Sequence, residues 1–183
     1  MPTQFSIENG WVSPAKHLCS PNFNDRPQQG GIDLLVIHNI SLPPEQFGGG
    51  NIEKFFCNQL DSSAHPYFQQ IKDLKVSSHL LIDREGSLVQ FVSLNKRAWH
   101  AGQSYFNNRE NCNDFSIGIE LEGTDNIPYT ENQYKSLIAL TQTLLKVYPE
   151  LHKDSIVGHS DIAPGRKTDP GPAFNWRQYL DQV

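Results

Sequence analysis

The sequence has no long apolar run. No stretch of its 183 residues approaches the ~18 that a membrane span needs. It has no excess of positive charge either: 15 Lys and Arg against 20 Asp and Glu give a net charge of -5. That balance argues against nucleic-acid binding, which wants a basic face. Cysteine is scarce, and Cys19, Cys57 and Cys112 are odd in number, far apart and free of any Cys-x-x-Cys spacing. They read as reduced thiols in a cytoplasmic protein. The stretch Met1–Glu8 lacks a basic head followed by an apolar block, so no export signal is expected. Lys16-His17-Leu18-Cys19 is too polar for a lipid-attachment box. Charged residues are only 19%, unlike a charge-rich disordered chain. Thirteen glycines and twelve prolines exceed what a helical bundle carries. The length suits one domain, 1–183, of the α/β class.

Periodicity locates the elements. Ile32–His38 has an unbroken apolar middle and reads as a central strand covered on both faces. Pro43, Pro44 and Gly48-Gly49-Gly50 form a loop, with a short helix over Asn51–Leu60. Ser78–Asp83 and Ser87–Val92 make a hairpin around Gly86. Phe115–Leu121 alternates, with Phe115, Ile117, Ile119 and Leu121 on one face and Ser116, Gly118, Glu120 and Glu122 on the other. Thr130 and Gln133 form a capping box for a helix that runs to Pro149. Ser155–His159 is a last strand, followed by a Pro-rich loop and a closing helix from about Asn175. Strands mixed with helices predict one sheet with helices on its faces.

Seven histidines are available. His17 and His152 read as solvated, His65 as a turn residue before Pro66, and His79 as a hydrogen-bonded core histidine. His38 and His159 differ, because each ends a short apolar strand where the chain becomes a loop. Ligands bind outside strand ends in open α/β sheets, and a neutral imidazole suits zinc. A catalytic zinc needs a third protein ligand and one open position. Asp161 and Asp169 both qualify, and spacing does not separate them; Asp161 serves equally as a turn cap. Glu120 suits the general base, since Ser116 and Gly118 on its face are small and leave space for a substrate. Glu122 shares its parity but reads better as a solvated edge-strand carboxylate, because Gly123 comes next. Lys167, two residues from Asp169, is either an oxyanion stabiliser or a surface lysine, and the residues alone favour the latter. The aromatic group Trp99, Tyr105 and Phe106 reads as core or as a platform for a sugar ring.

Together these blocks resemble a known family. They are Leu35–Pro44 with Phe47-Gly48-Gly49, Ser78–Ile82, Arg97–Gly102, Cys112–Gly123 and Gly158–Pro172. Taken in order they are similar to the zinc-dependent N-acetylmuramoyl-L-alanine amidases, most of all the cytoplasmic AmpD type that acts on 1,6-anhydro-muropeptides. The resemblance implies zinc ligands His38, His159 and Asp169, with Asp161 no ligand. It implies Glu120 as general base, Lys167 as transition-state stabiliser, and a central mixed sheet flanked by helices, shared with peptidoglycan recognition proteins. Asn39, Trp99, His100, Ala163 and Arg166 fall at positions that line the substrate groove in such enzymes. Relatives often carry Arg where this chain has Lys75 and Asn111; Lys75 keeps the charge and Asn111 does not, leaving Arg109 as a candidate substitute.

The resemblance further implies hydrolysis of the amide between anhydro-muramic acid and L-alanine, in peptidoglycan recycling in a Gram-negative cytoplasm. Removal of wall-damage signals would limit β-lactamase induction. The substrate is acidic, so Lys75, Arg97, Arg109 and Arg166 are the cations expected to offset the overall negative charge. A monomer with a small-molecule partner is expected. The rivals are a muropeptide-binding module without catalysis and an envelope amidase acting on intact wall.

Overall fold

The computed structural model describes residues 4–27 and 31–183; of the stretch Met1–Glu8, residues 1–3 lie outside it. In chain order the elements are β1 (Ser6–Glu8), β2 (Trp11–Ser13), β3 (Lys16–His17), β4 (Phe23–Asp25), β5 (Leu34–Ile40), α1 (Asn51–Phe56) and α2 (Pro66–Ile71). Then come β6 (Leu80–Ile82), β7 (Leu88–Gln90), β8 (Lys96–Ala98), β9 (Tyr105–Phe106), β10 (Arg109–Glu110) and β11 (Ser116–Glu122). The chain closes with α3 (Glu131–Val147), β12 (Ile156–Gly158), α4 (His159–Ile162) and α5 (Trp176–Leu180).

Six strands form one sheet in the order β12-β5-β11-β6-β7-β3. β5 runs parallel to both β11 and β12, whereas β6 and β7 are the expected antiparallel hairpin. The sheet is therefore mixed. Leu34, Leu35, Val36 and Ile37 are fully buried, because β5 is paired on both edges and covered on both faces. Each such side chain contributes roughly 1.5–3 kcal/mol on burial.

Strand parity divides the core. Leu35, Ile37, Ile117, Ile119 and Leu121 pack with Tyr134, Leu137, Leu140 and Leu144 of α3. The capping box forms as expected: the Thr130 hydroxyl accepts from Gln133 N, and Gln133 Oε1 accepts from Thr130 N. On the opposite face Leu34 and Val36 pack with Ala101, Cys112 and Ile162, and α1 and α2 pack Phe55, Phe56, Phe68 and Ile71 over Leu81 and Val89. His38 continues the parity of Leu34 and Val36, and Glu120 that of Ser116 and Gly118. Both point away from α3.

Three readings shift. Phe115 precedes β11 and packs with Leu34 rather than with Ile117. The helix after Gly50 stops at Phe56, four residues early: Asn58 takes φ 58° and exchanges side-chain hydrogen bonds with Asn22. β11 is interior rather than an edge, so Glu122 is buried, accepting from Gly48 N at 2.5 Å and Arg84 N at 3.2 Å. Among the described residues no helix is long and apolar enough to cross a membrane.

Candidate active site

Register builds the site. Gly158 pairs with Ile37 on one side of β5, so the next residues, His159 and His38, stand side by side. On the other side Glu120 pairs with His38. His38 lies two residues inside β5 and His159 opens α4, rather than each closing its strand. Asp169 arrives from the loop beyond α4. That loop is pinned at three points: Ser160 N donates to Asp169 O, and Asn39 Nδ2 and Tyr129 Oη donate to Pro170 O. Gly171 adopts φ +78°, and a Cβ there would collide with the Asp125 backbone, so only glycine fits this bend.

His38 Nδ1, His159 Nδ1 and Asp169 Oδ2 form a nearly equilateral triangle with sides of 3.0, 3.1 and 3.1 Å. These side chains form the group among the described residues that could hold a metal ion. Proton positions show why a cation fits. His159 Nε2 lies 3.1 Å from the Ala101 carbonyl, which can only accept, so that nitrogen carries a proton, and in a neutral ring Nδ1 is then a lone pair facing the triangle. With both rings in the neutral form that ligates metals, at most one proton, on His38 Nδ1, is left for three facing atoms. Burial lowers the His38 imidazole to about 4, keeping it in the neutral form that ligates metals. Burial alone would raise Asp169, but its contacts with His159 and His38 prevail and hold the carboxyl below its ordinary range. Asp161 is elsewhere: its Oδ2 accepts from Gly158 N at 2.7 Å and caps the turn into α4.

Comparison with known proteins places the chain in a family. The N-acetylmuramoyl-L-alanine amidase family matches residues 28–172. The chain belongs to that family. The amidase is 54% identical over 177 residues to the 1,6-anhydro-N-acetylmuramyl-L-alanine amidase AmpD of Haemophilus influenzae, covering 97% of this chain and 96% of the relative. It superposes on the crystal structure of a selenomethionine AmpD derivative with a TM-score of 0.94 at 50% identity, covering 97% and 99% of the two chains. A more distant neighbour is AmpDH3 of Pseudomonas aeruginosa in complex with an anhydromuramic pentapeptide. There the TM-score is 0.59 at 28% identity, over 88% of this chain and 64% of the other.

In this amidase the His38–His159–Asp169 triangle opens into a groove of about 370 Å³ that also receives Glu120, Lys167, Asn39, Trp99 and His100. Glu120 is buried, and its Oε2 is the buried side-chain oxygen among the described residues that has no hydrogen-bond partner. Burial, with the Asp169 charge adding and Lys167 opposing, pushes the Glu120 carboxyl well above its usual range. Lys167 is exposed at the rim, held by its backbone N–H donating to Ala163 O. Phe55, Phe56, Tyr67, Ile71 and Leu74 make an apolar wall.

The other expected groove residues separate. Trp99 is half-buried, with its indole N–H donating to Asn24 Oδ1 at 2.7 Å. Asn39 is committed to Asp125 and Pro170. Ala163 and Arg166 line a neighbouring pocket of about 310 Å³ with Asn111 and Tyr105; Arg166 donates to the Ala101 and Gln103 carbonyls. Lys75 is exposed, between two groove residues. Arg109 donates to both oxygens of Asp33 at 2.9 and 2.8 Å and lies over the Phe115 ring, lining neither pocket. Arg97 is paired with Asp114. The space above Gly118 is not free for substrate, because a Cβ there would lie 2.5 Å from the His100 ring.

Sequence reading missed Asn113, whose Oδ1 accepts from both His100 N and Ala101 N. It also missed Ser77, whose hydroxyl accepts from Trp99 N. Both are polar residues inside the motif blocks or beside them, but neither type signals a clamp by itself. His65 and His79 take the expected places: His65 Nδ1 caps α2 by accepting from Tyr67 N, and His79 is fully buried, its Nδ1 accepting from Gly118 N.

Proposed function

We propose that this amidase hydrolyses the amide between the lactyl carbonyl of 1,6-anhydro-N-acetylmuramic acid and the L-alanine of the stem peptide, in cytoplasmic peptidoglycan recycling. The observation that carries the reading is the convergence of His38 Nδ1, His159 Nδ1 and Asp169 Oδ2 beside a buried, unpartnered Glu120 carboxylate. Near-full-length likeness to proteins named for that substrate supports it. Three free thiols suit a reducing compartment. Every residue of the proposed site comes from one chain, so a monomer suffices.

His38, His159 and Asp169 would hold zinc, two neutral imidazoles and one carboxylate leaving an open position. When bound, zinc supplies a Lewis acid for the scissile carbonyl and lowers the pKa of water from 15.7 to about 7. Glu120 takes the proton of the attacking water on its free oxygen and delivers it to the leaving amine; a carboxyl raised by burial is matched to both steps. Lys167 places an ammonium at the groove rim to stabilise charge developing on the carbonyl oxygen. The apolar wall and Trp99 seat the sugar and exclude water.

The test is turnover of purified 1,6-anhydro-muropeptide in ¹⁸O water. The reading expects free stem peptide and one ¹⁸O in the lactyl carboxylate. Intact substrate, or cleavage within the peptide, contradicts it. Preferential cleavage of intact wall would assign an envelope role instead. In cells, deletion of the gene is expected to raise anhydro-muropeptides.

A further inference from the structure

Each histidine of the metal triangle is backed by a second contact, and both contacts come from one dipeptide. His38 Nε2 lies 2.9 Å from His100 Nδ1, and His159 Nε2 lies 3.1 Å from the Ala101 carbonyl. The dipeptide is itself clamped. Asn113 Oδ1 accepts from His100 N at 3.1 Å and from Ala101 N at 2.8 Å. The far nitrogen of His100 meets Ser116 Oγ at 3.1 Å, and Gly118 leaves room for the ring by having no Cβ. His100 and Asn113 are both buried.

We infer that His100 and Asn113 are positioning residues that hold both histidine ligands in their metal-binding tautomers. A ligand offering Nδ1 must carry its proton on Nε2, and that proton needs an acceptor. Ala101 O provides one for His159 and His100 Nδ1 provides one for His38. His100 then carries its own proton on Nε2, directed at Ser116 Oγ. The row from Ser116 through His100 to His38 thus runs in a single sense while metal is held, and both rings of the row stay neutral. Asn113 sets the spacing of both acceptors at once, so it couples the two ligands that 121 positions of chain separate.

This inference rests on the metal reading of the triangle. Zinc affinity is measured by chelator competition for wild type, His100→Leu, His100→Asn, Asn113→Ala and Asn113→Asp. Loss of an outer partner costs about 10–100-fold in metal affinity, which is expected for His100→Leu and Asn113→Ala. His100→Asn keeps an acceptor near Nδ1, and Asn113→Asp keeps one for two N–H groups, so both are expected within about threefold of wild type, a margin small against that loss. Equal loss in His100→Leu and His100→Asn would make the ring a packing element and overturn the inference. Unchanged affinity in His100→Leu would do the same. Wild type carries a reading that does not depend on how the variants fold: ¹⁵N ring shifts of the zinc-loaded protein are expected to show His38, His159 and His100 each protonated on Nε2. A proton on His100 Nδ1 would refute the row. A wild type that takes up no zinc defeats the metal reading itself, which is a distinct outcome.

Discussion

Glu120 and His38 are register partners on the parallel strands β11 and β5. Adjacent strands lie about 4.8 Å apart, so backbone pairing brings a carboxylate and the His38 imidazole side by side. Both residues sit within strands, so their backbone positions do not depend on a loop. Glu120→Gln keeps the shape and removes the proton acceptor. It is expected to lower kcat by about 10²–10⁴ while zinc content and folding persist. Activity within tenfold of wild type would remove Glu120 from the mechanism.

Glu122 shares the strand face but has a different task. Its carboxylate accepts from Gly48 N and Arg84 N, tying the Gly-rich loop to the hairpin turn. Glu122→Ala is expected to lose about 1–3 kcal/mol of stability in urea unfolding, with kcat within severalfold of wild type. Equal loss of turnover in Glu120→Gln and Glu122→Ala would sink the division of roles.

Lys167 is exposed at the groove rim, so its removal should leave the fold alone. Lys167→Met is expected to lower kcat by about 10²–10³ with KM changed only severalfold. A rise in KM at constant kcat would instead make it a substrate-binding cation.

His79 supplies a pH prediction away from the metal triangle. Burial, then the nearby Arg26 charge, lowers its imidazole to about 3, while Gly118 N–H needs its Nδ1 as acceptor. A folded-state value below the unfolded 6.5 means that the unfolded chain binds the extra proton. Stability from this group is therefore complete above about 6.5 and falls as pH drops toward 3. Between about pH 6.5 and 5 the loss is about 2 kcal/mol. His79→Asn retains an acceptor but does not titrate, so its stability should fall less than wild type across that interval. Parallel pH curves would contradict the assignment.

Much of this arrangement was legible in the residues. An unbroken apolar run marked β5 as central, and strand ends directed attention to His38 and His159. Spacing could not choose between Asp161 and Asp169, because a cap and a ligand look alike until the Gly158 N–H and the pinned Pro170 loop are in place. Glu122 was misread because Gly123 marks where a strand stops but not which strands flank it. Parity revealed a small residue at 118, yet not what fills the space above it, which is His100. Asn113 sits in a short helical turn where Asn is ordinary, and its double acceptance depends on a segment twelve residues away.

The most direct measurement of the central claim is zinc stoichiometry and anhydro-muropeptide turnover on one preparation, before chelation, after it, and after zinc is restored. One equivalent of zinc, loss of peptide release on chelation and its return with the metal are expected, with Asp169→Ala holding little zinc and Asp161→Ala holding a full equivalent. Undiminished turnover in the metal-free protein, or full zinc in Asp169→Ala, would contradict the account.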